Sequence, residues 1–264
     1  MSAAAGFVCA DGIVLSADAD AASGVARWEP RRILVQARGA YLAAVSGCGN
    51  HDLIRMAADQ LARDLDEDDD LEGLWRTSEK LVARLAKKYL FCYAEHDPER
   101  PQLKLLIAFR HETEGSLLLA SDANRIARVD GCTFVGAGAE LARATSSWLY
   151  EPSLPCAVVA PLAAQLLAWV RENVSGCGPA GRILSLEPGG AVELEPPSVP
   201  GADFFGGVHR LLQPILAGCV DGRLSDVEFD DRLRWFEESM SALRLALKRG
   251  EPLPQPPRHH LPRD

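Results

Sequence analysis

The 264-residue sequence holds no CxxC pair, no run of about 18 apolar residues and no concentrated basic stretch. The first absence, with seven cysteines scattered as Cys9, Cys48, Cys92, Cys132, Cys156, Cys177 and Cys219, excludes structural-zinc spacing. An odd, irregularly spaced set reads instead as small buried thiols of a reducing compartment. The second excludes a membrane-spanning helix. The third, with a net charge of -9, argues against nucleic acid or an anionic membrane as partner of the whole chain. Chemical signatures are missing too. The histidines (His51, His96, His111, His209, His259, His260) show no HExxH or other metal spacing, and there is no GxSxG elbow, P-loop or GxGxxG. No metal and no cofactor are expected. The opening residues lack a basic segment, so a secretion signal is not expected and the cytoplasm is the default location.

What is present is a hydrophobic fraction of 47% and a charged fraction of 25%, enough to bury a core without staples. The first 47 residues read as two hairpins. Ala3 to Cys9 is short and apolar, Asp11-Gly12 is a hairpin-turn signal, and Ile13 to Ala17 follows as a buried strand. A second pair turns at Arg38-Gly39. From Asn50, a plausible cap, Leu53, Met56, Ala57, Leu61 and Leu65 fall on one helical face. The acidic run Asp66 to Asp70 lacks the alternating ligands and central glycine of a calcium loop and reads as a solvated connection. A second helix over 71–91 carries Leu74, Leu81, Leu85 and Leu90 in its stripe.

Strands return over 103–135, helices over 140–149 and 155–173, and a final hairpin over 181–194 turns at Pro188-Gly189-Gly190. This order of strands, two helices, strands, two helices and strands predicts an α+β fold. Two mixed or antiparallel sheets would pack face to face between helical layers, in an αββα sandwich. Residues 2–195 form that domain. Residues 196–250 form a helical extension after the rigid linker Glu195 to Pro200, and the proline-rich 251–264 reads as a disordered tail. The extension's stripe (Phe229, Leu233, Phe236, Met240, Leu243) packs either on its own domain or on a neighbour in an oligomer.

The stretch Gly6 to Gly24 resembles the start of a mature proteasome β subunit, a member of the N-terminal-nucleophile hydrolases, and the chain reads as a divergent homologue of the bacterial type. Gly6, Asp11-Gly12 and Ala17-Asp18 match the family pattern. Arg31-Arg32-Ile33, Val45-Ser46-Gly47, Phe134 to Gly138 and Ser175-Gly176 follow in family order. The resemblance implies a nucleophile at Ser2 once Met1 is removed, with the free α-amine as general base. It implies that Asp18 orients the site cation, that Arg32 or else Arg31 stands where the family has lysine, that the Gly47 N–H faces the oxyanion, and that Glu172 and Ser175 support the amine. It also implies a peptide or other amide substrate and a homo-oligomer.

Several positions depart from the pattern. Ser2 replaces threonine, Arg32 replaces lysine, Asp20 reverses an arginine, Glu172 lengthens an aspartate, and Ala137 lacks a serine hydroxyl. Two functions are therefore open: a proteasome-like peptidase, or a catalytically silent ring or scaffold subunit.

Overall fold

The computed structural model describes residues 3–18, 33–94, 97, 99–147, 149–174, 177, 181–194 and scattered positions between 225 and 245. The chain divides into two compact units, Met1–Val199 and Pro200–Asp264. In the second unit the described positions from Val227 to Leu245 are helical. The linker at 195–200, the expected helix before residue 220 and the proline-rich tail lie outside the described residues.

Along the first unit run β1 (Ala3–Val8), β2 (Ile13–Asp18), β3 (Leu34–Arg38), β4 (Tyr41–Gly49), α1 (His51–Asp64) and α2 (Leu71–Leu85). These are followed by β5 (Leu103–His111), β6 (Gly115–Asp122), β7 (Arg125–Val129), β8 (Cys132–Gly136), α3 (Ala139–Ser146), α4 (Cys156–Asn173), β9 (Gly181–Glu187) and β10 (Gly190–Leu194). They build two five-stranded antiparallel sheets, ordered β10-β9-β2-β1-β8 and β3-β4-β5-β6-β7.

Strand periodicity sorts the core into layers. On β5, Leu106 and Ala108 turn inward to meet Ala4, Leu15, Ala17, Leu184 and Leu186 of the first sheet. Leu105, Ile107 and Phe109 on the same strand turn outward, against Leu53, Ala57 and Leu61 of α1 and Leu74, Leu81 and Leu85 of α2. A strand buried on both faces reads as an apolar run without alternation, as Leu105 to Phe109 does, whereas Lys104 just before it is exposed. On the far side α4 packs over β1, β2 and β9, and α3 over β8. The result is the αββα sandwich.

Local signals behave as their chemistry requires. Asn50 caps α1, its side chain accepting the Leu53 N–H at 3.1 Å. Asn50→Ala is expected to cost about 1 kcal/mol in a urea titration. Asp70, the last residue of the acidic run, caps α2 by accepting the Gly73 N–H at 2.7 Å.

The stripe Leu81, Leu85, Leu90 contains a five-residue step that an α-helix would rotate off its face. A π-helical turn at Ala86–Leu90, with Phe91 N–H donating to Ala86 O at 3.0 Å, absorbs that step and buries Leu90.

One turn differs from expectation. The register Val8↔Ile13 and the Cys9 N–H to Gly12 O bond make Ala10-Asp11 the two-residue loop. Gly12 closes the hairpin and has no left-handed φ. It is glycine for steric reasons, since a Cβ there would lie 2.0 Å from Leu186 O. Among the described cysteines Cys9, Cys48 and Cys156 are buried, whereas Cys92 is exposed. No described helix is long and apolar enough to cross a membrane.

Candidate active site

The antiparallel register collects distant motifs at one edge of the first sheet. Ala3 pairs with Gly136, and Asp18 pairs with Gly181. Because Ala4 pairs with Ala17, Ala3 and Asp18 end neighbouring strands on the same side. A single row, Gly136–Ala3–Asp18–Gly181, therefore crosses the sheet where the described chain starts. Asp18 is wholly buried. A carboxylate taken out of water is tolerated only where hydrogen bonds or a cation compensate it, so this position is chemically committed. Ala17 beside it faces the inter-sheet layer together with Ile33, the residue after Arg32.

The loop joining β8 to α3 is shaped by two glycines. Gly136 has φ +92° and Gly138 φ +76°, and a Cβ on Gly138 would sit 2.5 Å from Val170 Cγ1. This brings Ala137 against a small cavity of about 20 Å³, lined by Ala3, Ala5, Ser16, Ala142 and Val170 among others. The space admits about one water, and the lining is almost wholly apolar. The hydroxyl missing at Ala137 is thus missing beside the backbone of Ala3.

Gly47 lies on β4 in the facing sheet, opposite Leu105. A Cβ there would fall 2.3 Å from Lys104 O, so close backbone approach alone demands glycine. Its neighbour Ser46 is the residue sequence reasoning missed. It lies between Ala44 and Cys48 on the inter-sheet face, is fully buried, and its hydroxyl has no hydrogen-bond partner. The signal lies in Val45-Ser46-Gly47, where the resemblance gives a role to the glycine alone.

Glu172 is exposed on the last turn of α4, rotated away from the cavity-lining Val170. The structure does not bring it into the row. Ser2, Arg32 and Ser175 lie outside the described residues, as do Asp20 and Gly176. No cluster of His, Cys, Asp or Glu suited to a metal occurs among the described residues.

No protein-family model matches the chain. No curated protein matches it by sequence. Solved structures do match in fold. Anbu (ancestral beta-subunit) from Yersinia bercovieri superposes with a TM-score of 0.64 at 13% identity, over 84% of this chain and 98% of that one. A Gly-1 mutant of Anbu from Hyphomicrobium sp. strain MC1 gives 0.65 at 10% identity, over 86% and 99%.

The fold is that of Anbu.

This corrects the expectation of a divergent bacterial-type proteasome homologue, because the similar structures are Anbu proteins. The physical reason lies in the motifs that suggested it. Gly12, Gly47, Gly136 and Gly138 answer steric or φ requirements of this fold. Residues that a fold itself demands do not tell apart the families that share it.

Proposed function

We propose that the chain is an amide hydrolase on a proteasome-like N-terminal-nucleophile frame, with Ser2 as nucleophile once Met1 is removed. The observation that carries this reading is the row placing Ala3, bonded directly to Ser2, beside buried Asp18 and the Gly136–Gly138 loop. Ser2 Oγ attacks the substrate carbonyl, and its own α-amine takes the proton. The Gly47 N–H receives the oxyanion. Asp18, Arg32 and Ser175 orient the amine, with Arg32 supplying positive charge but no proton shuttle. The amine then protonates the leaving group, and water hydrolyses the ester. Glu172, exposed, has no step. Peptides are the proposed substrates.

Intact mass and a β-lactone probe test this. Loss of Met1 and a single adduct at residue 2 are expected. A retained Met1, or an adduct elsewhere, overturns it.

The pH profile carries a sign. The base is the neutral amine, with an ordinary pKa of about 7.7–8.0. The kcat/KM for a peptide amide is therefore expected to rise with pH as the amine loses its proton, with half its plateau at about pH 8.

A second reading rests on Ala137. With an apolar wall where a hydroxyl would support the amine, the chain serves as a silent subunit. It predicts no adduct and no turnover while assembly persists. Both readings take the chain to form a homo-oligomer, in keeping with the Yersinia bercovieri neighbour being an ancestral beta-subunit. Sedimentation of the purified protein measures this.

A further inference from the structure

At the opposite end of β1 from the candidate site, two free thiols occupy a built position. Cys9 and Gly12 form the hydrogen-bonded pair that closes the β1–β2 hairpin, with Cys9 N–H to Gly12 O at 2.8 Å. In such a pair the two side chains leave the same face, with Cβ atoms about 4.5–5.5 Å apart. Gly12 has no side chain, and the space is taken by Cys156, whose Sγ lies 3.1 Å from where the Gly12 Cβ would be. Cys156 Sγ thus stands in for a side chain directly across from Cys9.

The first turn of α4 is pinned in that place. Cys156 N–H donates to Asp11 Oδ1 at 2.7 Å, and Ala10 N–H donates to Leu154 O at 3.0 Å. Both anchors come from the hairpin loop itself. The hydrogen bond to Cys9, followed by burial, pushes the Cys156 thiol above its ordinary range and keeps it protonated. Tyr150 closes the cluster by donating its hydroxyl to Val8 O, and burial pushes its pKa up as well, keeping the phenol neutral. Cys132 is engaged separately, its Sγ 3.7 Å from Ser146 Oγ.

We propose that Cys9 and Cys156 are an oxidation site at which a hydroperoxide forms an intramolecular disulfide joining the β1–β2 hairpin to α4. Cys9, 7% exposed, is the attacking thiol, and Cys156, fully buried, is the resolving one. The Cys9 thiolate displaces the terminal peroxide oxygen, giving a sulfenic acid and one molecule of alcohol, or of water from hydrogen peroxide. The Cys156 thiol then passes its proton to the departing hydroxyl as its sulfur attacks the Cys9 sulfur, forming the S–S bond and releasing water. Two thiols lose two electrons and two protons, and the peroxide gains them. The hydrogen bond between the two thiols, with the first turn of α4 pinned to the hairpin loop, favours this closure over further oxidation of Cys9. The inference is independent of any hydrolase activity.

The test treats the folded chain with hydrogen peroxide, alkylates the remaining thiols after unfolding, and maps the peptides. A Cys9–Cys156 cross-linked peptide, lighter by two hydrogens than its separate parts, is expected. So is a melting temperature raised by about 5 °C and returned by dithiothreitol, because the bond closes a long loop. Cys9→Ser and Cys156→Ser should each lose both the cross-link and the thermal shift. If Cys9 and Cys156 are recovered alkylated, or if the cross-link joins other cysteines, the proposal is overturned. The wild-type map decides this even if a serine variant fails to fold.

Discussion

Ser2→Ala is expected to reduce peptide-amide hydrolysis by about 10⁴-fold or more, with the melting temperature unchanged. The magnitude is that of removing a covalent nucleophile, which leaves only binding and oxyanion stabilisation. Stability should not move, because the change deletes one hydroxyl next to Ala3, which lines an apolar cavity. Ser2→Thr supplies the control. It keeps the hydroxyl and adds a methyl that restricts χ1, so activity should stay within about tenfold of the parent. Measuring all three proteins on one fluorogenic peptide, with their N-termini checked by mass, separates the two functional readings. If Ser2→Ala hydrolyses as fast as the parent, the nucleophile is another group. If none of the three turns over, the silent-subunit reading is favoured.

The outline of the fold was legible because each layer leaves its own periodicity. Leu105 to Phe109 is apolar at every position and is buried on both faces. The stripe of α1 repeats at three and four and is buried on one. Other features depend on what arrives from far along the chain. The partner of Ala3 is Gly136, and no local pattern near either residue announces that pairing. Buried Asp18 reads in sequence as a strand-end carboxylate, and only the register sets it beside Ala3. Ser46 and Gly47 were one motif in the sequence, yet the pleat sends them to opposite faces of β4. The glycine answers to the Lys104 carbonyl, and the serine hydroxyl is left unpartnered in the inter-sheet layer. Glu172 matched a family position by spacing, but helical rotation from Val170 carries it to solvent.

Gly12 gives the sharpest contrast between a local and a long-range explanation, and the two make different predictions. Had Gly12 been the αL residue of a type I′ turn, asparagine would replace it at small cost, since asparagine tolerates positive φ. Gly12 has no positive φ, and its missing side chain is filled from two other elements. An alanine Cβ would lie 2.0 Å from Leu186 O and 3.1 Å from Cys156 Sγ. The first contact is backbone of β9, in the ladder that pairs Ile13 with Leu186, and no rotamer change relieves it. Either β9 separates from β2 or the hairpin tilts and pulls Asp11 off the Cys156 N–H. Gly12→Ala is therefore expected to cost about 3–5 kcal/mol in denaturant unfolding, at the severe end for a single added methyl. Gly12→Asn should be at least as damaging. Asp11→Ala removes only the bond to the first turn of α4 and should cost about 1 kcal/mol. A Gly12→Asn variant as stable as the parent would restore the local-turn explanation. It would also remove the geometric basis for holding Cys156 against Cys9, because the space its sulfur occupies would then be free for a side chain at residue 12.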